Sequence, residues 1–517
     1  MVDRAGKVSD GVRAAEVVAA LCLATDLGMG FPLEHGLEAT LMTMRLTELL
    51  EVDSDVAADT FYASLLMYVG CTTDAEVSSR IFPGGLTEHL APVEHGSARE
   101  RLIGVSRAVT PSESSSSQRL YERARRLPSA ARFQKPHYAA VCEVAEMLAG
   151  RLGLPASISG LFSLLTDRWD GRGVLSRAAG DEIPLPLRIA RVARDAAFQR
   201  LIHGPEDVVD VIRARAGKAF DPGIAERFAE TSGEVFSVVG EPVWEGVLSV
   251  EPKPWQELSD GGIDQALGAM GNFSDLASPY LSGHSAGVAD LAARAAEVCG
   301  FAPDQVTTVR RAGLVHDLGR VAVHPAVWAN EGPLTADEWE QVRLHPYHTE
   351  RILDQSPFLA GIAAVACCHH ERLNGKGYHR RLGGVGLPAQ ARLLATVDAF
   401  CAMTEPRAHR ARLETEDAAK NLTTEADQGL HDPEMVAAVL EAVGLPRPAI
   451  RRPAGLTDRE AEVLGLIARG LQTKQVARAL DVSAKTVDNQ LQSAYRKIGV
   501  STRAAATLFA MEHGLVS

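Results

Sequence analysis

Two adjacent pairs, His316 with Asp317 and His369 with His370, stand out in the chain as ligand-type side chains, and each follows an apolar run that reads as a helix. Neighbouring residues on a helix point about 100° apart, so one such pair can reach two metal ions, or one ion and its bridging water. His284, His345 and Asp398 complete a nitrogen and oxygen donor set that includes no cysteine. That chemistry suits iron, manganese or another first-row divalent ion better than a structural zinc site. Cys367 and Cys368, beside the second histidine pair, read as core thiols rather than redox groups.

The elements that position these residues read as helices throughout. Apolar residues recur at helical spacing between glycine and proline breaks, as at Leu291, Ala295 and Val298, and no sustained strand-type alternation is present. An all-α chain is expected. With 517 residues it exceeds what one core sustains, so three domains are expected. No apolar run reaches the ~20 residues of a membrane span. The N-terminal run Ala14 to Ala24 is interrupted by Glu16 and lacks a cleavage-like site. Seven cysteines without repeating spacing fit free thiols in a reducing cytoplasm, with no membrane partner. The serine-rich segment Ser112 to Ser117 reads as a disordered insertion.

The chain is similar to itself. A shift of 249 residues lays His35 to Cys71 on His284 to Arg320, with His35, Arg45, Glu48, Asp55, Ala63, Leu65 and Gly70 identical. A shift of 204 lays Asp167 to Ala197 on Glu371 to Cys401, matching Arg168, Gly171, Gly173, Arg177, Gly180, Pro184 and Arg188. The matched glycines and proline punctuate structure rather than fill helices, which favours a duplicated domain. Only the second copy has the ligands. Under these shifts His284 keeps a counterpart in His35, whereas His316, Asp317, His369, His370 and Asp398 become Met67, Tyr68, Leu165, Thr166 and Arg194. The first copy is expected to serve as a packing partner, or as a sensor if its vacated pocket binds something else.

Residues Asp275 to about Gly444 resemble the HD-GYP domain, a bacterial branch of the HD metal-dependent phosphohydrolases. The likeness runs in order through DLASPYLSGHS, HDLGR, HPYH, HHERLNGKGYH, LPAQARLLATVDAF, TEPRAHR and HDPEMV. It implies His284, His316, Asp317, His345, His369, His370 and Asp398 as ligands of two divalent transition metals, with Asp317 bridging. A third metal is held in some of these domains by a Glu four residues before the first histidine, where this chain has Tyr280. The implied activity is hydrolysis of cyclic di-GMP or a related cyclic dinucleotide, with Asp317 and Arg320 catalytic. Arg320, Gly375, Gly377, Tyr378, Arg407 and Arg410 fall at substrate-contacting positions of the family. Arg320 replaces the family's Lys, Asn374 its Asp, His379 its proline, and Cys401 another Asp. A regulator that senses a nucleotide without turnover, and a hydrolase of another nucleotide, share the same ligand requirement.

The formal charge of −13 excludes a chain that coats nucleic acid over its whole surface, but it is unevenly spread. Pro453 to Ser517 holds five Arg and three Lys against six acids, a net of +2, which leaves −15 on the rest. The tail follows a proline-rich break, Val443 to Gly455. It reads as four short helices, opened by a Thr457/Glu460 capping box, with a Ser483-capped third helix after a three-residue turn. This tail resembles the LuxR/GerE-type helix-turn-helix. The resemblance implies DNA as partner, Asp488, Asn489 and Gln492 facing base edges, and Lys474, Lys485, Thr486, Arg496 and Lys497 near phosphates. It also implies a homodimer, aided by the last helix. The expected layout is residues 1–240 for the degenerate copy, 241–444 for the metal domain, 445–455 for a linker and 456–517 for the DNA-binding domain. Together they describe a cytoplasmic transcription regulator.

Overall fold

A computed structural model describes residues 11–72, 75–111, 115–240, 242–447, 452–512 and 515. Helices dominate, and among the described residues the only ladder is a two-residue antiparallel pair, Val12–Arg13 with Glu257–Leu258. The chain is all-α, as its periodicity requires. No described helix is long and apolar enough to cross a membrane. All seven cysteines are free.

Local signals set the helix starts. Thr335 accepts from Glu338 N while the Glu338 carboxylate accepts from Thr335 N, a reciprocal cap that opens Ala336–Leu353. Asp221 and Asp432 cap helices whose first residues are Pro222 and Pro433. The serine segment corrects the expectation of an insertion without structure. Ser115 caps and pairs reciprocally with Gln118, starting the 36-residue helix Ser116–Arg151. Serine disfavours helix interiors but is among the best N-caps, and composition alone hides that difference. Ser112 to Ser114 lie outside the described residues.

The fold divides into two compact units, and the division falls between His316 and Asp317. One unit comprises the chain up to Gly283 with Asp317–Ala360. Its core joins Met42, Leu46, Ile189, Val192, Phe220 and Phe228. Within it, helix Ala14–Met29 is buried from Val17 to Asp26 and packs against the turn Leu318–Ala322 and the helix Ala336–Leu353. Ser356 Oγ donates to the Glu16 carboxylate there.

The second unit comprises His284–His316 and the chain from Gly361 onward. Helix His284–Val298 crosses Pro303–Val315 closely because Gly313 is a glycine. A Cβ at Gly313 would stand 2.8 Å from Ala289 Cα. At the C-terminal end, helices Asp458–Ala468, Thr473–Ala479, Ala484–Ile498 and Arg503–Glu512 share two small cores, one around Leu464, Tyr495 and Ala506, the other around Ile467, Val476 and Val487.

Helix starts recur at the spacings of the internal repeat. His35–Leu49 and His284–Val298 begin 249 residues apart, as do Ser54–Leu65 and Pro303–Val315. The turns Gly180–Glu182 and Gly384–Gly386, and the helices Leu185–Ile202 and Ala389–Thr404, begin 204 apart. Arg188 pairs with Asp221 at 2.9 Å, and its counterpart Arg392 pairs with Asp432 at 2.8 Å.

Candidate metal centre

In the second unit His284 opens its helix, His316 follows the last turn of Pro303–Val315, and Asp398 lies midway along Ala389–Thr404. All three are at most 2% exposed. Asp398 Oδ1 sits 3.3 Å from His284 Nε2 and 3.6 Å from His316 Nε2, and the ligand atoms of the three lie within 4.8 Å of one another. Burial pushes the Asp398 carboxyl up, but hydrogen bonds from His284 and His316 outweigh it and hold the group well below the usual carboxylate range. Asp398 is an anion at neutral pH. His369 stands edge-on to His316 at 4.8 Å between ring centroids and 4.2 Å from His370, which stacks on Tyr378 at 4.3 Å.

The histidine tautomers follow from the backbone. His316 Nδ1 lies 2.8 Å from Gly313 O, and His369 Nδ1 2.7 Å from Ala366 O. In the first unit His345 Nδ1 lies 2.6 Å from Val342 O. A carbonyl only accepts, so each Nδ1 carries a proton, which leaves Nε2 as the nitrogen that a metal would meet. Three rings are thus set as metal donors by the carbonyl three residues back. The donor set and its tautomers fit divalent metal ions.

Asp317 directly follows His316 in the chain. Its Oδ1 is 3.2 Å from His345 Nε2 and its Oδ2 2.9 Å from Arg320 Nε. Arg320 stacks over Trp328, 5.3 Å from the ring centre, and is 7% exposed. Gly319 lets this turn lie on the helix carrying His345, since a Cβ there would fall 2.1 Å from His345 O. Thr349 Oγ1 accepts the Gly319 N–H at 2.9 Å.

The glycine loop after the histidine pair is pinned by Glu371. This buried carboxylate accepts from Arg380 N at 3.1 Å and Leu382 N at 2.8 Å. Gly375 takes φ +70°, and a Cβ on Gly377 would fall 2.6 Å from Glu371 Cα, so both positions require glycine. Arg407 pairs with Glu405 at 3.0 Å. The Arg410 guanidinium donates to the carbonyls of Ala402, Met403, Glu405 and Ala411. Tyr280, at the third-metal position, is 36% exposed, and Cys401 is buried. Glu371, Trp328 and Glu405 escaped the sequence reading. Glu371 had a signal, since the repeat aligns it with Asp167, another acid.

Where the repeat lacks ligands, Arg194 is central. It is 3% exposed, donates to Gly36 O at 3.2 Å and Ser64 O at 3.0 Å, and lies 4.7 Å from the Tyr68 ring centre. His35 packs against Phe31 and Phe198. Burial, then the charge of Arg194, lowers its pKa to about 3. Met67, Tyr68, Leu165, Thr166, Arg191 and Arg194 line a cavity of about 30 Å³, room for a water rather than a nucleotide.

In the C-terminal domain Lys474, Lys485, Thr486, Asp488, Asn489, Gln492, Arg496 and Lys497 are all exposed, while Val487 is buried and Leu491 half-buried. Ser483 Oγ accepts from Thr486 N and starts the third helix. Lys497 is held at home, 2.6 Å from Glu460 and 2.9 Å from Gly455 O. Arg452 pairs with Glu434 at 2.7 Å and with Asp458 at 2.8 Å. Residues 448–451, within the expected linker, lie outside the described residues.

Comparison with known proteins places these features. Residues 271–435 match the HD domain family, and residues 454–510 match the bacterial regulatory proteins of the luxR family. The chain is 28% identical over 443 residues to a 3'3'-cGAMP-specific phosphodiesterase, number 3, of Vibrio cholerae, covering 83% of this chain and 95% of that protein. It is 33% identical over 152 residues to the cyclic di-GMP phosphodiesterase response regulator RpfG of Xanthomonas campestris, spanning 29% of this chain and 40% of that one. The crystal structure of the V. cholerae cyclic GMP-AMP specific phosphodiesterase V-cGAP3 resembles it with a TM-score of 0.59 at 25% identity, over 84% of this chain and 98% of that one. The chain therefore carries an HD domain homologous to the HD-GYP cyclic dinucleotide phosphodiesterases, joined to a C-terminal LuxR-type helix-turn-helix domain.

Proposed function

We propose that the protein is a cytoplasmic, DNA-binding transcription regulator that hydrolyses a cyclic dinucleotide, with cyclic di-GMP and 3'3'-cGAMP the two substrates to compare. The observation that carries this reading is the convergence of His284 and His316 Nε2 on Asp398 Oδ1, all three residues buried. His284, His316, Asp317, His345, His369, His370 and Asp398 would hold two divalent transition metals, iron or manganese. Bound there, the metals would supply an activated water and neutralise phosphate charge. Asp398 is already ionised to receive them. Arg320, oriented by Asp317 and Trp328, serves a phosphate oxygen. Gly375, Gly377 and Tyr378 form the nucleotide loop, which Glu371 keeps in shape.

In this reading residues 1–240 are a degenerate copy, 241–444 the hydrolase, 445–455 a linker and 456–517 the DNA-binding domain, which acts as a homodimer. The exposed face of Ala484–Ile498 offers Asp488, Asn489 and Gln492 to bases and Lys485, Thr486 and Arg496 to phosphates. Lys474 and Lys497 flank it. Incubating the manganese-loaded full chain with each cyclic dinucleotide and separating the products tests the activity. A linear dinucleotide or mononucleotide product is expected, and an unchanged substrate panel would sink the reading. For DNA, selection of bound sequences from a random pool should yield one paired motif, and Lys485→Ala should lower the salt slope of binding by about one.

A further inference from the structure

His284 differs from its partner histidines. It is the first residue of its helix, and where Nδ1 of His316, His345 and His369 meets a backbone carbonyl, its Nδ1 lies 2.9 Å from Glu405 Oε2 and 3.2 Å from Oε1. Glu405 comes seven residues after Asp398, two helical turns on and so on the same face, where helix Ala389–Thr404 ends. One helix end thus grips both nitrogens of the ring, Asp398 at Nε2 and Glu405 at Nδ1. Since those nitrogens face opposite edges of the imidazole, Glu405 lies away from the side where Nε2 would meet a metal. Arg407, 3.0 Å from Glu405 Oε2, holds the carboxylate in place.

We infer that Glu405 is a positioning residue for metal binding, acting through His284 as a charged hydrogen-bond acceptor that fixes its tautomer and strengthens Nε2 as a donor. Carboxylate partners of this kind orient a ligating ring and raise its basicity, and their loss typically weakens metal affinity by about 10–100-fold. Three of the other four rings, His316, His345 and His369, face neutral carbonyls, so the effect is expected at the ion that His284 binds. This inference rests on the metal reading above.

The test is manganese titration of the metal-depleted full chain, followed by electron paramagnetic resonance of bound Mn²⁺, in wild type, Glu405→Gln and Glu405→Ala. Glutamine keeps the shape and an acceptor oxygen without the charge. Wild type should bind two ions. One of them should weaken about 10-fold in Glu405→Gln and toward 100-fold in Glu405→Ala, with an altered Mn²⁺ spectrum, while the other stays within a few-fold. Wild-type affinity at both sites in either variant overturns the inference, and so does equal loss of both ions, which would mark Glu405 as a general structural prop. A wild type that binds no Mn²⁺ would instead overturn the metal reading itself.

Discussion

The two stretches related by the internal repeat start helices at matching positions and differ in what they place at the centre. In the later half Glu371 pins a loop through the N–H groups of Arg380 and Leu382. In the earlier half Asp167, its counterpart, does so through Arg177 N at 3.0 Å and Ala178 N at 2.7 Å. Arg188 with Asp221 and Arg392 with Asp432 form matching clasps. At the centre, however, an aspartate that gathers histidine nitrogens in one half is an arginine in the other. The Arg194 guanidinium is a cation tethered to the chain, satisfied by the Gly36 and Ser64 carbonyls and the Tyr68 ring. The earlier half has positive charge built in, where the later one gathers donors for it.

The sharpest way to break this contrast is to strip donors from each half. His369→Ala/His370→Ala should take hydrolysis of a cyclic dinucleotide to background, while Met67→Ala should leave it within a few-fold. Turnover surviving the double substitution would show that the earlier half works. Next, Arg194→Met should lower the stability of the chain by about 2–5 kcal/mol, because two buried carbonyls lose their donor, and denaturant titration would read it. It should not change metal content.

The loop pins sharpen the comparison at smaller scale. Asp167→Asn and Glu371→Gln should each cost about 1–3 kcal/mol, but only Glu371→Gln should raise KM, with metal content intact. The smallest effect concerns pH. Burial raises Asp26, which accepts Gly36 N–H, to a pKa of about 7, against an ordinary value of 3.8. The native state then holds a proton that the unfolded chain has released, so this group's contribution is full below about pH 4 and is lost as pH rises to 7. The stability difference between wild type and Asp26→Asn should drift across that window and level off above it. A flat difference would mean that Asp26 is charged in the native state.

What could be read from the sequence was local or chemical in type. Thr457, Glu460 and Ser483 cap helices through neighbours three residues away, so the C-terminal domain was legible element by element. The histidine and aspartate set was legible because those residue types are costly to bury without a purpose. Glu405 was not, since it meets His284 from 121 residues away. Nor was the compact division between His316 and Asp317, because packing across long stretches of chain decides it. Arg194 could be seen as a missing ligand, but not as a filled place.

Helix Ala14–Met29, buried against the turn Leu318–Ala322 and the helix bearing His345, bears on how such a gene can change. A duplicate that has lost its ligands is ordinarily free to decay or be deleted. Here deletion would lay bare the apolar back of the very turn that carries Asp317 and Arg320. On the proposed function the earlier half is a permanent lodger, and selection on the later half polices both.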